Sequence, residues 1–187
     1  TIIGAEFVNL QTGESLSVRA KVVIDASELG DAISDAGIQT DIGMEPEYAR
    51  KENIEEPYDN YILYEGDICN VDFVKYIFKQ EKPSLVIHLA AETHVDQSFG
   101  NSFRFTQTNI MGTHTLLECM RHIGGVKLFI HMSTDEVYGS VDDGEICTEK
   151  SMFAPSNPYS ATKAGAEMLC HAFIKSFEYC IGFSLIT

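Results

Sequence analysis

The chain has 187 residues, of which 44% are hydrophobic and 22% are charged, a composition typical of a globular domain and not of collagen, a coiled coil or a disordered chain. The 13 basic and 28 acidic residues leave a net charge of −15. So acidic a chain repels a phosphate backbone, and we expect no nucleic-acid partner. No apolar run reaches the roughly 20 residues of a membrane helix, and no signal-peptide pattern opens the chain, so we expect no membrane partner.

The cysteines indicate the compartment. The chain has five of them, an odd number, and they are scattered without a CxxC pair. This usage predicts free thiols in a reducing, cytoplasmic environment. The spacing predicts no zinc site, and we assign no metal.

The first part of the chain, residues 1–60, is predicted to be an atypical N-terminal segment. Strands at 6–10 and 16–24, joined by turn-forming residues, predict a β-hairpin. A short helix is predicted at 31–36, where Gly37 would end it. Acidic, proline-containing loops then mark a boundary near residues 40–60.

From residue 61 onward, strands alternate with helices. Alternation of this kind predicts right-handed βαβ units and a parallel sheet, the α/β fold class. Ligands of such sheets bind beyond the carboxyl ends of the strands, so the site is expected there. The predicted strands cover 61–65, 85–90, 127–132 and 183–187, and the predicted helices cover 71–81, 103–122 and 157–179.

Polar side chains with catalytic chemistry follow the strand at 127–132. Thr134, Asp135 and Glu136 bring a hydroxyl and two carboxylates to the strand end. Further along, Tyr159 and Lys163 stand four residues apart, and positions i and i+4 share one face of a helix. A lysine ammonium near a phenol stabilises the phenolate and lowers its pKa, which makes the tyrosine a usable base.

Each of these groups also has a simpler interpretation. Tyr159 and Lys163 could be an exposed helix pair, and Asp135 and Glu136 a solvated loop that starts a helix. The small residues that follow the strand at 85–90 could serve only tight packing.

The order of these motifs resembles the extended short-chain dehydrogenase/reductase family, and within it the nucleotide-sugar 4,6-dehydratases that act on dTDP-glucose or UDP-glucose. The triplet Thr134-Asp135-Glu136 separates this group from the related epimerases, and Asp135 stands where GDP-mannose dehydratases usually have serine. The resemblance covers residues 61–187, about two thirds of the chain. The matching stretches are 66–68, 88–96, 108–113, 133–139 and 157–163.

The resemblance implies a Rossmann-like fold and dehydration of the sugar nucleotide to its 4-keto-6-deoxy form. Tyr159 would take the proton of the sugar 4-hydroxyl while NAD accepts hydride from C4, and Lys163 would support the phenolate and hold the nicotinamide ribose. Glu136 would then remove the C5 proton, Asp135 would protonate the departing 6-hydroxyl, and Thr134 would bind the 4-oxygen. The small-molecule partner is thus a sugar nucleotide, and a homodimer through the two long helices is usual in the family.

Cofactor and substrate contacts are implied in the same way. The small residues after the strand at 85–90 would lie beneath NAD. Thr93 would touch both cofactor and substrate, and His94 and Thr134 would approach the substrate. The implied cofactor-binding residues are Asp67, Ile68, Leu89, Ala90, Ala91, Thr93, Thr108, Ser133, Tyr159 and Lys163.

The chain also departs from the family. The glycine-rich turn that binds the pyrophosphate is missing before residue 66, and the chain stops soon after the Tyr-Lys helix, so we expect an incomplete Rossmann-like domain without the substrate domain. Each lost N–H donor would cost about 1–3 kcal/mol of binding. We therefore expect little turnover by the chain alone, and a non-catalytic fragment or interaction module is the alternative.

Residues 1–40 carry a second, shorter resemblance. The stretch 19–31 is similar to a strand end of FAD-dependent oxidoreductases, in which an Asp-Ala-Thr sequence leads into Gly-Asp. This similarity implies that the chain joins pieces of two families, whereas a plain β-hairpin followed by a helix is the alternative.

Overall fold

The computed structural model describes the backbone of residues 5–8 and 15–18, and then residues 64, 66–140, 147–148 and 150–186. Strands β1 (Ala5–Val8) and β2 (Ser15–Val18) pair antiparallel, with Ala5 opposite Val18, which confirms the predicted hairpin. The predicted helix at 31–36 and the predicted strand at 61–65, apart from Tyr64, lie outside the described residues.

A parallel sheet of three described strands forms the centre of the fold. Strands β3 (Leu85–His88), β4 (Leu128–Thr134) and β5 (Ile181–Ile186) lie in that order, and both neighbouring pairs are parallel. Helices connect them, which confirms the predicted α/β class. Because the strands are parallel and adjacent, the carboxyl ends of β3 and β4 meet at one edge of the sheet.

Five α-helices flank the sheet within the described residues. The predicted helix at 71–81 is confirmed to the residue, and the one at 157–179 to within two residues at each end. Helices at 95–100 and 102–105 were not predicted as separate elements. The helices are α1 (Val71–Glu81), α2 (Val95–Gly100), α3 (Ser102–Phe105), α4 (Thr113–Ile123) and α5 (Pro158–Phe177).

The single helix predicted at 103–122 is wrong in one respect. A π-helical segment, Thr106–Gly112, separates α3 from α4. The apolar spacing does not reveal it, because a π-helical turn adds only one residue to the period, a change too small to recognise over seven residues. Such segments often occur at functional sites.

Local sequence explains the helix ends. Asn70 Oδ1 accepts a hydrogen bond of 3.1 Å from the Phe73 N–H and so caps α1. Asn157 and Ser160 form a reciprocal capping box at the start of α5, with Pro158 in the first turn. Each cap is worth about 1 kcal/mol.

One main hydrophobic core joins α1, α4 and α5 to the sheet. Leu117 and Phe129 are 0% exposed, so each contributes about 1.5–3 kcal/mol by burial. This core sets the position of α5 along β4, and the geometry of the site depends on that position. Its buried members are Val74, Phe78, Val86, Leu116, Leu117, Cys119, Met120, Phe129, Cys170, Phe173 and Ile181.

Two further findings concern the whole described chain. The five cysteines are free thiols, as predicted. Within the described ranges, no helix combines the length and the apolar character that a membrane span requires.

Candidate active site

The candidate active site lies where β4 ends and α5 begins. Strand β4 extends to Thr134, two residues beyond the predicted end, and a 3₁₀ turn, Asp135–Tyr138, follows it directly. Helix α5 contacts both β4 and this turn. Residues separated by more than 20 positions in the chain are thereby brought together, as the strand-end rule predicts.

Thr134 organises the two carboxylates that follow it. Its backbone is extended and its side chain is 5% exposed. Its hydroxyl accepts from the Glu136 N–H and donates to Asp135 Oδ1, both at 3.3 Å. Asp135 is exposed and Glu136 is half-buried, so the two carboxylates occupy different environments. The two carboxylates begin a 3₁₀ turn, in agreement with the simpler interpretation of a loop that starts a helix. Glu136 also contacts the start of α5.

Glu136 is held from the other side by Asn157. The Asn157 amide nitrogen donates to Glu136 Oε2 at 2.8 Å, while its Oδ1 caps the helix through the Ser160 N–H. One side chain therefore fixes both the start of α5 and one oxygen of Glu136. Sequence reasoning assigned Asn157 no role, although an asparagine directly before Pro158 is a recognisable helix start.

Tyr159 is buried at the start of α5. Its side chain is 8% exposed, and its ring meets the Phe105 ring edge-on with centroids 6.4 Å apart. Burial, with the negative charges of Glu136 and Asp135, raises the pKa of Tyr159 above its ordinary value, while a hydrogen bond with Thr134 acts in the lowering direction. In the protein alone the net direction is upward because desolvation is the largest cause, and the lowering expected from Lys163 stays a prediction.

Lys163 is buried one helical turn further on. It is 4% exposed, and its ammonium group donates to the backbone carbonyl oxygen of Met132 in β4. Burial lowers the pKa of Lys163 to about 8, against an opposing effect of Glu167. An exposed Tyr-Lys pair, the simpler interpretation, is excluded by the burial of both side chains.

Two neutral histidines lie beneath this site. His88 of β3 and His131 of β4 are opposite each other in the sheet, and their ring centroids are 5.3 Å apart. Burial lowers the pKa of His88 to about 3 and that of His131 well below its ordinary value. Both rings are therefore uncharged near neutral pH and act as core residues.

The loop after β3 is tied to α5 by Asn109. This side chain, 2% exposed in the π-helical segment, accepts from the Glu92 N–H at 2.7 Å and donates to the Glu92 carbonyl oxygen at 3.0 Å. It also donates to Thr162 Oγ1 at 2.9 Å. Asn109 thus fixes the end of the loop that contains Leu89, Ala90 and Ala91. Sequence reasoning gave it no role, since no local pattern shows these contacts.

Asp67 and Ile68 lie at the turn before α1. Asp67 Oδ1 accepts from the Cys69 N–H at 2.8 Å, and this bond sets the turn. Ile68 packs so closely on Gly112 that a Cβ there would lie 2.3 Å from Ile68 Cδ1. The turn is therefore fixed against the π-helical segment that contains Thr108 and Asn109.

The remaining candidate residues differ in exposure. Thr93 and His94 are exposed just before α2, and Thr108 is half-buried. Ser133 is buried, and its hydroxyl has no hydrogen-bond partner within the described part of the chain. A buried, unpaired hydroxyl at a strand end is a candidate contact for a bound polar ligand.

The site thus assembles a buried phenol, an ammonium group, a hydroxyl and two carboxylates. Such a set can remove a proton from an alcohol and, with the carboxylates, move protons at neighbouring carbons. The loop at 89–91, Ser133 and Lys163 are the described residues that could hold a nucleotide cofactor. Small side chains at Ala90 and Ala91 leave room for a ligand to approach the backbone closely.

Comparisons with known proteins agree with this geometry. The family described as GDP-mannose 4,6 dehydratase matches residues 43–184. One relative, from Arabidopsis thaliana, is a trifunctional UDP-glucose 4,6-dehydratase/UDP-4-keto-6-deoxy-D-glucose 3,5-epimerase/UDP-4-keto-L-rhamnose-reductase. The two sequences are 52% identical over 120 residues, and this match covers 63% of the chain and 18% of the relative. The chain is 47% identical over 129 residues to a dTDP-D-glucose 4,6-dehydratase from Dictyostelium discoideum, covering 64% of the chain and 30% of the relative.

A solved structure shows the same fold. The dTDP-glucose 4,6-dehydratase of Streptomyces venezuelae, solved with bound NAD, is 34% identical with a TM-score of 0.65, covering 71% of the chain and 39% of that structure. The chain therefore spans between about a fifth and two fifths of the length of these similar proteins.

Proposed function

The chain belongs to the GDP-mannose 4,6 dehydratase family, and we propose that its residues 61–187 are the NAD-binding, catalytic part of a sugar-nucleotide 4,6-dehydratase. The substrate is dTDP-glucose or UDP-glucose, and the product is the 4-keto-6-deoxy sugar nucleotide. One observation carries the proposal. Tyr159 stands two residues beyond Asn157, whose amide donates to Glu136 Oε2 at 2.8 Å, so the phenol lies at the strand end that carries the two carboxylates.

Tyr159 is proposed to take the proton of the sugar 4-hydroxyl. Its burial excludes water from the phenol, and Thr134 is placed to bind the same sugar oxygen. Lys163 supplies the one positive charge that α5 directs at the end of β4. The pKa of Tyr159 is raised in the protein alone, so this step requires additional positive charge when the ligands are bound.

The two carboxylates are proposed to complete the loss of water. Glu136, oriented by Asn157, takes the proton from C5 of the ketone. Asp135 gives a proton to the hydroxyl leaving C6, so that one water departs and a double bond forms between C5 and C6. The hydride removed from C4 in the first step is returned to C6 and a proton to C5, which gives the 4-keto-6-deoxy product with no net oxidation or reduction. A carbonyl at C4 is what makes the C5 proton acidic enough for a carboxylate to remove.

The residues present fit NAD in part. Ala90 and Ala91 allow close approach to the loop after β3, and the unpaired Ser133 hydroxyl offers a polar contact. We propose that Asp67, Ile68, Leu89, Thr93, Thr108 and Lys163 complete this binding set. The chemistry that bound NAD supplies is a reversible hydride acceptor with a cationic ring, a charge that favours a phenolate nearby.

The substrate's base and the surroundings of the protein are also proposals. Thr93 and His94, exposed before α2, are the residues proposed to meet the sugar. Similar proteins of both the UDP and the dTDP kind support either base. Five free thiols support a cytoplasmic protein, and the charge of −15 argues against nucleic acid.

A homodimer is proposed as well. Exposed apolar side chains on the helices support it, because Phe103 is 88% exposed and Phe99 is 66% exposed. Sedimentation of the purified chain would show a mass twice that of the monomer.

The test is an assay of the purified chain with NAD and either dTDP-glucose or UDP-glucose. We expect slow formation of a product lighter by one water, in keeping with the missing glycine-rich turn, detected by mass spectrometry after long incubation. In Tyr159→Phe this slow rate should fall by at least about a further hundredfold. Tyr159→Phe should still bind NAD in calorimetry, since only the phenol oxygen is removed. Tyr76→Phe, at a tyrosine that is 53% exposed on α1, is the matched control and should retain activity. A folded chain that neither binds NAD nor releases water would contradict the proposal.

A further inference from the structure

Helix α5 buries two opposite charges on one face. Among the described residues, Lys163 and Glu167 are the two Asp, Glu, Lys or Arg side chains that are buried, at 4% and 5% exposed. They stand four positions apart, so Glu167 lies one helical turn beyond Lys163. The site as described above uses Lys163 and leaves Glu167 without a role.

A buried carboxylate requires an explanation. Burial of an isolated charge costs several kcal/mol unless it is paired. Glu167 Oε2 is buried and has no hydrogen-bond partner within the described residues, and Oε1 lies 3.6 Å from His171 Nε2. His171 is partly exposed and stacks on Phe183 with ring centroids 4.6 Å apart. Hydrogen bonding therefore does not account for the position of Glu167.

The other titratable groups near Lys163 are neutral or act on Tyr159. His88 from β3 and His131 from β4 are neutral, because burial keeps their pKa values low. The Cys170 thiol of α5 is also neutral, since burial raises its pKa to about 12. Asp135 and Glu136 of the 3₁₀ turn act on Tyr159. Glu167 is thus the buried carboxyl group one helical turn from Lys163, and the two side chains do not form a direct ion pair.

We propose that Glu167 is a positioning residue, whose buried carboxylate, one helical turn away, keeps the Lys163 ammonium group charged. The effect on catalysis rests on the proposed function, whereas the coupling between the two side chains does not. With Glu167 in place, the pKa of Lys163 is about 8, so the ammonium form is present at neutral pH. Without that charge, desolvation acts unopposed and the neutral amine is favoured.

The coupling can be measured directly. Lysine labelled with ¹³C at Cε is titrated by NMR in the full chain, and the Lys163 signal is identified by its loss in Lys163→Arg. In Glu167→Gln we expect the Lys163 titration to move down by about one pH unit or more. Glu118→Gln is the matched control, because Glu118 also pairs within a helix, with Arg121 at 2.7 Å, but on α4. This variant should leave the Lys163 titration unchanged.

A second variant is used if Glu167→Gln does not fold. Glu167→Met removes the charge and is close to the same size, and an apolar residue of similar shape is often tolerated at a buried charged position. An unchanged Lys163 titration in folded Glu167→Gln or Glu167→Met would overturn the inference.

Activity gives the second measurement. In Glu167→Gln the alkaline limb of the kcat/KM profile should move to lower pH by the same amount as the Lys163 titration, and Glu167→Asp should restore it in part. If the parent chain has no dehydratase activity, the proposed function fails while the NMR titration still decides the role of Glu167. If the chain is active and the Lys163 titration does not respond to Glu167, the inference fails and the function stands.

Discussion

The Asn157 amide donates to Glu136 Oε2 at 2.8 Å, across 21 positions of the chain. The same side chain caps α5 through the Ser160 N–H at 2.8 Å. The start of the helix that contains Tyr159 and the carboxylate at the end of β4 are therefore held by one residue. Asn157 therefore links the position of the Tyr159 helix to the position of the Glu136 carboxylate.

Substitution at Asn157 should separate capping from orientation. Serine caps a helix as well as asparagine does, but it cannot donate to Glu136 from the same place. In Asn157→Ser we expect unfolding free energy within about 0.5 kcal/mol of the parent and a loss of about tenfold or more in kcat, measured by denaturant unfolding and by the dehydratase assay.

The control for this substitution is Asn70→Ser. Asn70 caps α1 in the same manner, through the Phe73 N–H, and within the described residues its side chain makes no hydrogen bond to the carboxylates at the end of β4. It should leave kcat unchanged. Equal losses in the two variants, or a normal kcat in Asn157→Ser, would mean that the Asn157 contact with Glu136 does not orient the carboxylate.

Gly139 ends the 3₁₀ turn in a conformation that other residues rarely adopt. Its φ is 77°, and an added Cβ would lie 2.1 Å from the Ala154 carbonyl oxygen. We expect Gly139→Ala to lower the free energy of unfolding by at least about 1–3 kcal/mol, through backbone strain and displacement of Ala154. Urea unfolding measures this change.

Gly100 provides the comparison for Gly139. It ends α2, and an added Cβ there would meet no atom within 4 Å. Gly100→Ala should therefore be neutral or stabilise by up to about 1 kcal/mol. A Gly139→Ala variant as stable as Gly100→Ala would contradict the packing described for this turn.

Acid should destabilise the fold through His88. Its folded pKa is about 3, against an ordinary value of 6.5. Between these values the unfolded chain binds a proton that the folded protein excludes, so stability is fully present above pH 6.5 and falls as the pH falls toward 3. In His88→Gln, which lacks this titration, the free energy of unfolding should depend less steeply on pH between about 7 and 5.

Thr113→Val distinguishes titration from simple loss of a contact. The Thr113 hydroxyl donates to the Asn109 carbonyl oxygen at 2.6 Å, so it accepts its 2.8 Å hydrogen bond from His88 Nε2. Removing this hydroxyl should lower stability at every pH but leave the acid dependence in place. If His88→Gln retains the full acid slope, another group causes it.

The sequence by itself determined the features that depend on neighbouring residues. Helix α1 has the predicted ends because Asn70 and the apolar residues Val74, Ile77 and Phe78 act within a few positions of one another. The start of α5 follows from Asn157 and Pro158 in the same way. Alternation of strands and helices determined the parallel sheet, and the strand-end rule placed Thr134, Asp135 and Glu136 at its edge.

The tertiary structure alone decided what depends on burial and on contacts between distant segments. The three hydrogen bonds of Asn109 and the π-helical segment around it leave no mark on periodicity. The raised pKa of Tyr159 could not be read from its spacing to Lys163, because desolvation is set by the surrounding fold and not by spacing along a helix. The burial of Glu167 beside Lys163 is of the same kind. The spacing of four residues predicts that Lys163 and Glu167 share one face of the helix. Only the packing of α5 on the sheet shows that this face is buried and that both side chains are removed from water.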